Sequence, residues 1–124
     1  MHQAAHFAVI GFQWHFATSA GFPEMEWTPP DDADLDSWVI LQYKVQVWFE
    51  SGPVKIHAKV NGHSAAEQVF NVGYSGPMYN ILEPKTFFPG VKNTIQFTVS
   101  FGEDFEGPSG QAIGRVVLFW HGPL

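Results

Sequence analysis

Residues 38–61, WVILQYKVQVWFESGPVKIHAKVN, alternate apolar and polar side chains with a period of two, and that period admits little besides β-structure. Val39, Leu41, Tyr43, Val45, Val47 and Phe49 share one face, while Gln42, Lys44, Gln46 and Glu50 share the other. The ESGP turn follows. Then Val54, Ile56, Ala58 and Val60 point one way, and Lys55, His57, Lys59 and Asn61 the other. Two strands, each half buried and half wet, joined as an antiparallel hairpin, are the expectation.

The same grammar extends outwards. NGHS at 61–64 supplies the next turn, because Asn-Gly tolerates positive φ. EQVFNVGY, MYNILE and KTFF read as further short strands, the last two flanking Pro84. NTIQFTVSF alternates cleanly, with Ile95, Phe97, Val99 and Phe101 inward. HFAVIGFQWHFAT does so with Ala8, Ile10, Phe12, Trp14 and Phe16. AIGRVVLFW is apolar on both faces except at Arg115, as a central or covered strand would be, with Val116, Leu118 and Trp120 opposing Ile113, Val117 and Phe119. No segment carries a 3.6-residue period, and 12 Gly and 9 Pro punctuate the strands. A chain of 124 residues suffices for one core. The expected fold is all-β: a single antiparallel β-sandwich of seven or eight strands over residues 1–124.

KIHAKVNGHS, then PGVKNTIQFTV and a closing RVVLFW, resemble the jelly-roll sandwiches of the galactose-binding type, where a strand ending in V-N-G precedes an N-T-I strand. The resemblance spans roughly residues 54–120 and rests on turn-and-strand grammar. It implies a jelly roll. Many members of that class bind carbohydrate, and jelly rolls also build virion shells.

Charge narrows the chemistry. Of 12 acidic residues, four sit in PPDDADLDSW (Asp31, Asp32, Asp34, Asp36) and three in GEDFEG (Glu103, Asp104, Glu106), leaving five against six Lys and Arg. No basic stripe exists to meet nucleic acid. Asp32, Asp34 and Asp36 have the D-x-D-x-D spacing of an oxygen-ligand loop, so Ca²⁺ is the candidate cation, assisted by Glu103, Asp104 and Glu106 if the loops meet. An EF-hand fails: counted from Asp32, Ser37 stands where glycine belongs and Tyr43 where glutamate belongs. The competing reading is a solvated acidic turn guarding the next strand. His2, His6, His15, His57, His63 and His121 form no H-x-H, H-x-x-H or H-E-x-x-H set, there is no cysteine, and neither a nucleophile elbow nor a phosphate loop occurs. An enzyme is not expected. The N-terminus lacks a signal-peptide pattern and no run approaches the ~18 apolar residues of a membrane span, so a cytoplasmically made chain that never enters a membrane is expected.

Aromatic residues are the remaining signal: 12 Phe, 5 Trp and 3 Tyr. Trp38 and Trp48 share the parity of Gln42, Lys44 and Gln46, so they fall on the polar face of their strand. With Tyr74 and Trp120 they are the candidate aromatic contact residues, since an indole at a surface stacks on a sugar or anchors a protein. The expected function is a non-enzymatic structural module, a subunit of a homo-oligomer or larger shell such as a virion capsid decoration (cement) protein. The alternative is a carbohydrate-binding, lectin-like jelly roll, calcium-assisted at Asp32, Asp34 and Asp36.

Overall fold

The structure, a computed structural model, describes residues 3–11, 13–16, 22–47, 54–71, 73–101 and 111–123. Among them run β1 (Gln3–Gly11), β2 (His15–Phe16), β3 (Met25–Trp27), β4 (Val39–Val47), β5 (Val54–Val60), β6 (His63–Phe70), β7 (Ser75–Leu82), β8 (Asn93–Phe101) and β9 (Gln111–Pro123). All pairings are antiparallel. One sheet has the order β1-β9-β4-β7, with β2 also on β9, and the other β3-β8-β5-β6.

β1 and β2 pair with successive stretches of β9 and form one interrupted edge strand, so eight strands result. Counted that way, the first pairs with the eighth, the second with the seventh, the third with the sixth and the fourth with the fifth. That is a long hairpin bent at the β5–β6 turn and rolled into two sheets, the jelly roll that the resemblance implied. The bend is the Asn-Gly turn: Asn61 and Gly62 have φ of 52° and 81°, linking the pair Val60 and His63. KTFF departs from the expectation. Lys85 takes a φ of 67° and the segment is a turn, with Phe87 folded inward edge-on to Trp27.

Alternation fills the core as expected. Val39, Leu41, Tyr43, Val45 and Val47 of β4 meet Val54, Ile56, Ala58 and Val60 of β5, with Ile95 and Phe97 of β8 beneath them. Each such burial contributes about 1.5–3 kcal/mol before side-chain entropy is charged against it. Tyr43 packs on Phe97 at 4.9 Å and its hydroxyl donates to Asn80 Oδ1 at 2.8 Å; burial, then the Tyr74 phenol, pushes its pKa up. Phe12 and Phe49 lie outside the described residues.

β9 is central, between β1 and β4, which explains its apolar character on both faces. Its parity is not regular, however. Arg115 (φ 51°) sits in a bulge opposite Tyr43, so Ile113 lies in the core beside Val116, Leu118 and Trp120 rather than opposing them.

Asn93 is the buried polar residue of this core, with no exposed surface. Its Oδ1 accepts from Asn61 Nδ2 (2.9 Å) and Phe88 N (3.0 Å). Its Nδ2 donates to the carbonyls of Phe88 and Val91, both at 2.9 Å, with Trp27 O at 3.4 Å. Asn93→Ala strands these groups without water, at about 1–3 kcal/mol for each group left unpaired. The variant should lose about 2–4 kcal/mol, seen as an earlier urea midpoint at unchanged slope; a shift below about 1 kcal/mol would contradict this role.

Candidate functional site

The two sheets present unlike outer faces. On the β3-β8-β5-β6 sheet the outward residues are mostly polar and several are paired, with exposed Val69 beside Lys55 an apolar exception. Lys55 lies 3.9 Å and His57 3.2 Å from Glu67, His57 also reaches Ser100 Oγ at 3.1 Å, and Lys92 meets Glu26 at 3.5 Å. That face suits contact with solvent.

The β1-β9-β4-β7 sheet is different. Register places Phe7 opposite Phe119, Phe119 opposite Ile40 and Ile40 opposite Ile81, one apolar row across all four strands. The next row is Val9, Val117, Gln42 and Tyr79. Phe7 is 67% exposed, Ile81 66%, Tyr79 56% and Trp38 55%. Trp38 rims a hollow of about 630 Å³ floored by Ile40 and Phe119 and reached by Ala5, Ile81 and His121. Outward positions on an antiparallel sheet are ordinarily polar. This row inverts the rule over the full width of the sheet.

A second depression, a cleft of about 460 Å³, lies at one end of the sandwich between the Asn61-Gly62 turn and the loop after β7. It is polar: Asn61, His63, Glu83, Lys85 and Thr86 surround the exposed ring of Phe88. Thr86 Oγ1 donates to Glu83 O at 2.6 Å, and Lys85 N to Leu35 O at 2.7 Å, which holds the loop against residues 33–36.

The expected contact aromatics part company here. Trp38 stands outward as its parity required. Trp48 lies outside the described residues. Tyr74 is half buried, edge-on to Phe70 at 4.9 Å, and its hydroxyl donates to Pro77 O at 2.7 Å, bracing the approach to β7. Trp120, expected at a surface, is 8% exposed. Its indole stacks on His6 at 5.7 Å and meets Trp27 at 5.0 Å, because the Arg115 bulge sets its inward parity. Residues that sequence reasoning missed are Phe7, Val9, Ile40, Tyr79 and Ile81: each is an ordinary strand residue alone, and only cross-strand register joins them.

The aspartate run has a plain structural origin. Ala33 and Leu35 are buried in the core, so Asp32, Asp34 and Asp36 are the polar phase of an alternating segment. Asp32 and Asp36 are exposed; Asp34 is half buried, accepts Ser37 Oγ–H at 2.8 Å and pairs through its backbone N with His121 O at 2.7 Å. Among the described residues no three His, Asp or Glu side chains converge where a metal ion would sit. Glu103, Asp104 and Glu106 lie outside the described residues.

No protein-family model matches the chain, and no curated protein does. Solved structures do share its fold. Dimeric latent PorU from Porphyromonas gingivalis superposes with a TM-score of 0.72 at 7% identity, over 100% of this chain and 13% of that one. BuGH86 in complex with neoagarooctaose gives 0.59 at 8% identity, over 97% and 19%. The EclA C-terminal domain, a sugar-binding protein, gives 0.52 at 7% identity, over 95% and 79%. Identity this low speaks for the fold alone. The chain spans less than a fifth of the first two proteins and most of the third.

Ca²⁺ needs six to eight oxygens converging at about 2.4 Å, and among the described residues the aspartate run does not gather such a set. Millimolar calcium should therefore leave the melting temperature unchanged. A rise reversed by chelator, and lost in Asp34→Asn, would restore the metal reading.

Proposed function

We propose that this jelly roll is a non-catalytic assembly module that docks onto another protein surface through the outer face of the β1-β9-β4-β7 sheet. One observation carries the reading: the uninterrupted row Phe7, Phe119, Ile40, Ile81, on a sandwich whose opposite outer face is mostly polar and carries ion pairs. Its exposed apolar surface comes to about 600 Å², counting ~150–250 Å² per fully exposed aromatic, at the top of what soluble monomers leave uncovered. A sugar is the wrong occupant for this face. Its hydroxyls would lose water with few groups to replace it, the Trp38 indole N–H and His121 at the rim and Gln42 and the Tyr79 hydroxyl in the next row, at about 2–7 kcal/mol for each group left unpaired. A protein surface with its own apolar centre meets no such penalty. Subunits of a larger shell, virion decoration proteins among them, are assemblies that such a module suits.

The test is a photoreactive benzoylphenylalanine in place of Tyr79, in the apolar face, or of Thr98, on the polar sheet, illuminated in the protein's own cellular setting. Position 79 should yield a discrete protein adduct, abolished by Ile81→Lys, and position 98 none. No adduct at 79 would sink the docking reading.

The polar cleft favours a second reading. Phe88 offers a ring face, with Glu83, His63 and Thr86 as hydroxyl partners, a combination that suits a monosaccharide unit. On a glycan array the chain should then bind a defined sugar class, with affinity falling about tenfold or more in Phe88→Ala; silence across the array discards this reading.

A further inference from the structure

The docking face has a polarity along its strands, and that polarity identifies the partner. Among the described residues the outward column of β4 reads Trp38, Ile40, Gln42, Lys44, Gln46, with exposed Asp36 two positions before Trp38. Lys44 is opposite Gly114, and exposed Arg115 follows Gly114, so two cations mark that end. Exposed Asp36 marks the other, with Asp31 and Asp32 earlier in the same loop outnumbering the exposed Lys85 that lines a depression with Asp36. Between them the rows Phe7–Phe119–Ile40–Ile81 and Val9–Val117–Gln42–Tyr79 carry no charge. The face is therefore acidic, apolar and basic in succession, with Lys44 four positions beyond Ile40, roughly 13 Å at strand rise, and Asp36 four positions before it in the turn that leads into β4.

Such a face complements itself. Resting on the docking reading above, we infer that its occupant is a second copy of this chain, packed face to face about a two-fold axis that lies in the interface and crosses the strands near Ile40. This axis reverses strand direction between copies. The apolar row of one copy then lies on that of its mate, and each Asp36 end meets a Lys44 end. The other in-plane axis, parallel to the strands, would set acid on acid and base on base, which costs several kcal/mol. An isologous contact needs one patch that fits its own inverse, and the order of charges supplies it. The area agrees: about 600 Å² of apolar surface plus the charged ends approaches the ~800 Å² per partner of a standard stable interface.

Sedimentation velocity of the 124-residue chain, over a concentration series at low and high salt, reads the outcome together with the Tyr79 adduct. The expected result is a particle of twice the chain's mass and an adduct joining two copies. Lys44→Glu and Asp36→Lys should each weaken the dimer about tenfold or more. The double charge exchange should restore it to within about threefold. Ile40→Lys should abolish it while Thr98→Lys on the other sheet leaves it intact, with circular dichroism confirming that each variant folds. A dimer indifferent to both single exchanges, or not rescued by the double, overturns this geometry. A monomer at every concentration whose Tyr79 adduct holds a different protein overturns self-pairing and leaves the docking reading standing. A monomer with no adduct removes both.

Discussion

The carboxamides of Asn61 and Asn93 meet at 2.9 Å, and the rolled hairpin depends on that contact. Asn61 sits at the bend of the long hairpin; its backbone N donates to Thr94 O and its Oδ1 accepts from Thr94 N, both at 2.9 Å. The bend is thereby tied to the start of β8. Asn93 then extends the tie to the Phe88–Val91 turn and towards Trp27 of β3. Three stretches of chain far apart in sequence, at Trp27, Asn61 and residues 88–93, share one buried amide. Because the amide is dry, every partner is needed, and half-satisfaction would cost more than an apolar replacement of the whole network. The polar cleft beside Phe88 inherits its walls from this knot.

From the knot the two sheets diverge in purpose. They contribute alike to the core, with aromatic contacts such as Tyr43 with Phe97 and Trp27 with Trp120 crossing between them. Outside, one sheet invests in ion pairs and hydroxyls, and the other in hydrocarbon. An outward Phe, Ile or Val stabilises an isolated sandwich little, since it stays in water. The cost of keeping such a row exposed is offset only when something covers it.

Much of the fold was legible in the sequence. Period-two alternation located β4, β5 and β8 and their inward residues, the Asn-Gly pair marked the bend, and apolar character on both faces marked β9 as central. The errors have physical causes. One extra residue at Arg115 reversed parity, moving Ile113 into the core and making Trp120 an interior ring. The aspartate run shares its D-x-D-x-D spacing with simple alternation, and burial of Ala33 and Leu35 accounts for that spacing. The apolar row was illegible for a deeper reason. Phe7, Phe119, Ile40 and Ile81 lie on four strands, and their adjacency exists only once strand order and register are known.

Strand order also bears on how such a module joins a partner. Sheets can associate by edge or by face, and here every edge is blunted. β7 carries Pro77, which has no N–H to donate, beside Gly76. β1 shifts register between Val9 and Gly11 and is interrupted before β2. β3 has three residues, and the β5–β6 pairing is bulged between Ala58 and Lys59. Bulges, prolines and short edges are the devices by which sandwiches avoid adding strands from other chains. With the edges blunted in these ways, the apolar face is the surface on which the proposed association rests. A contact made by side chains across a face is set by shape and charge order rather than by backbone pairing, which is indifferent to sequence; such a contact is specific.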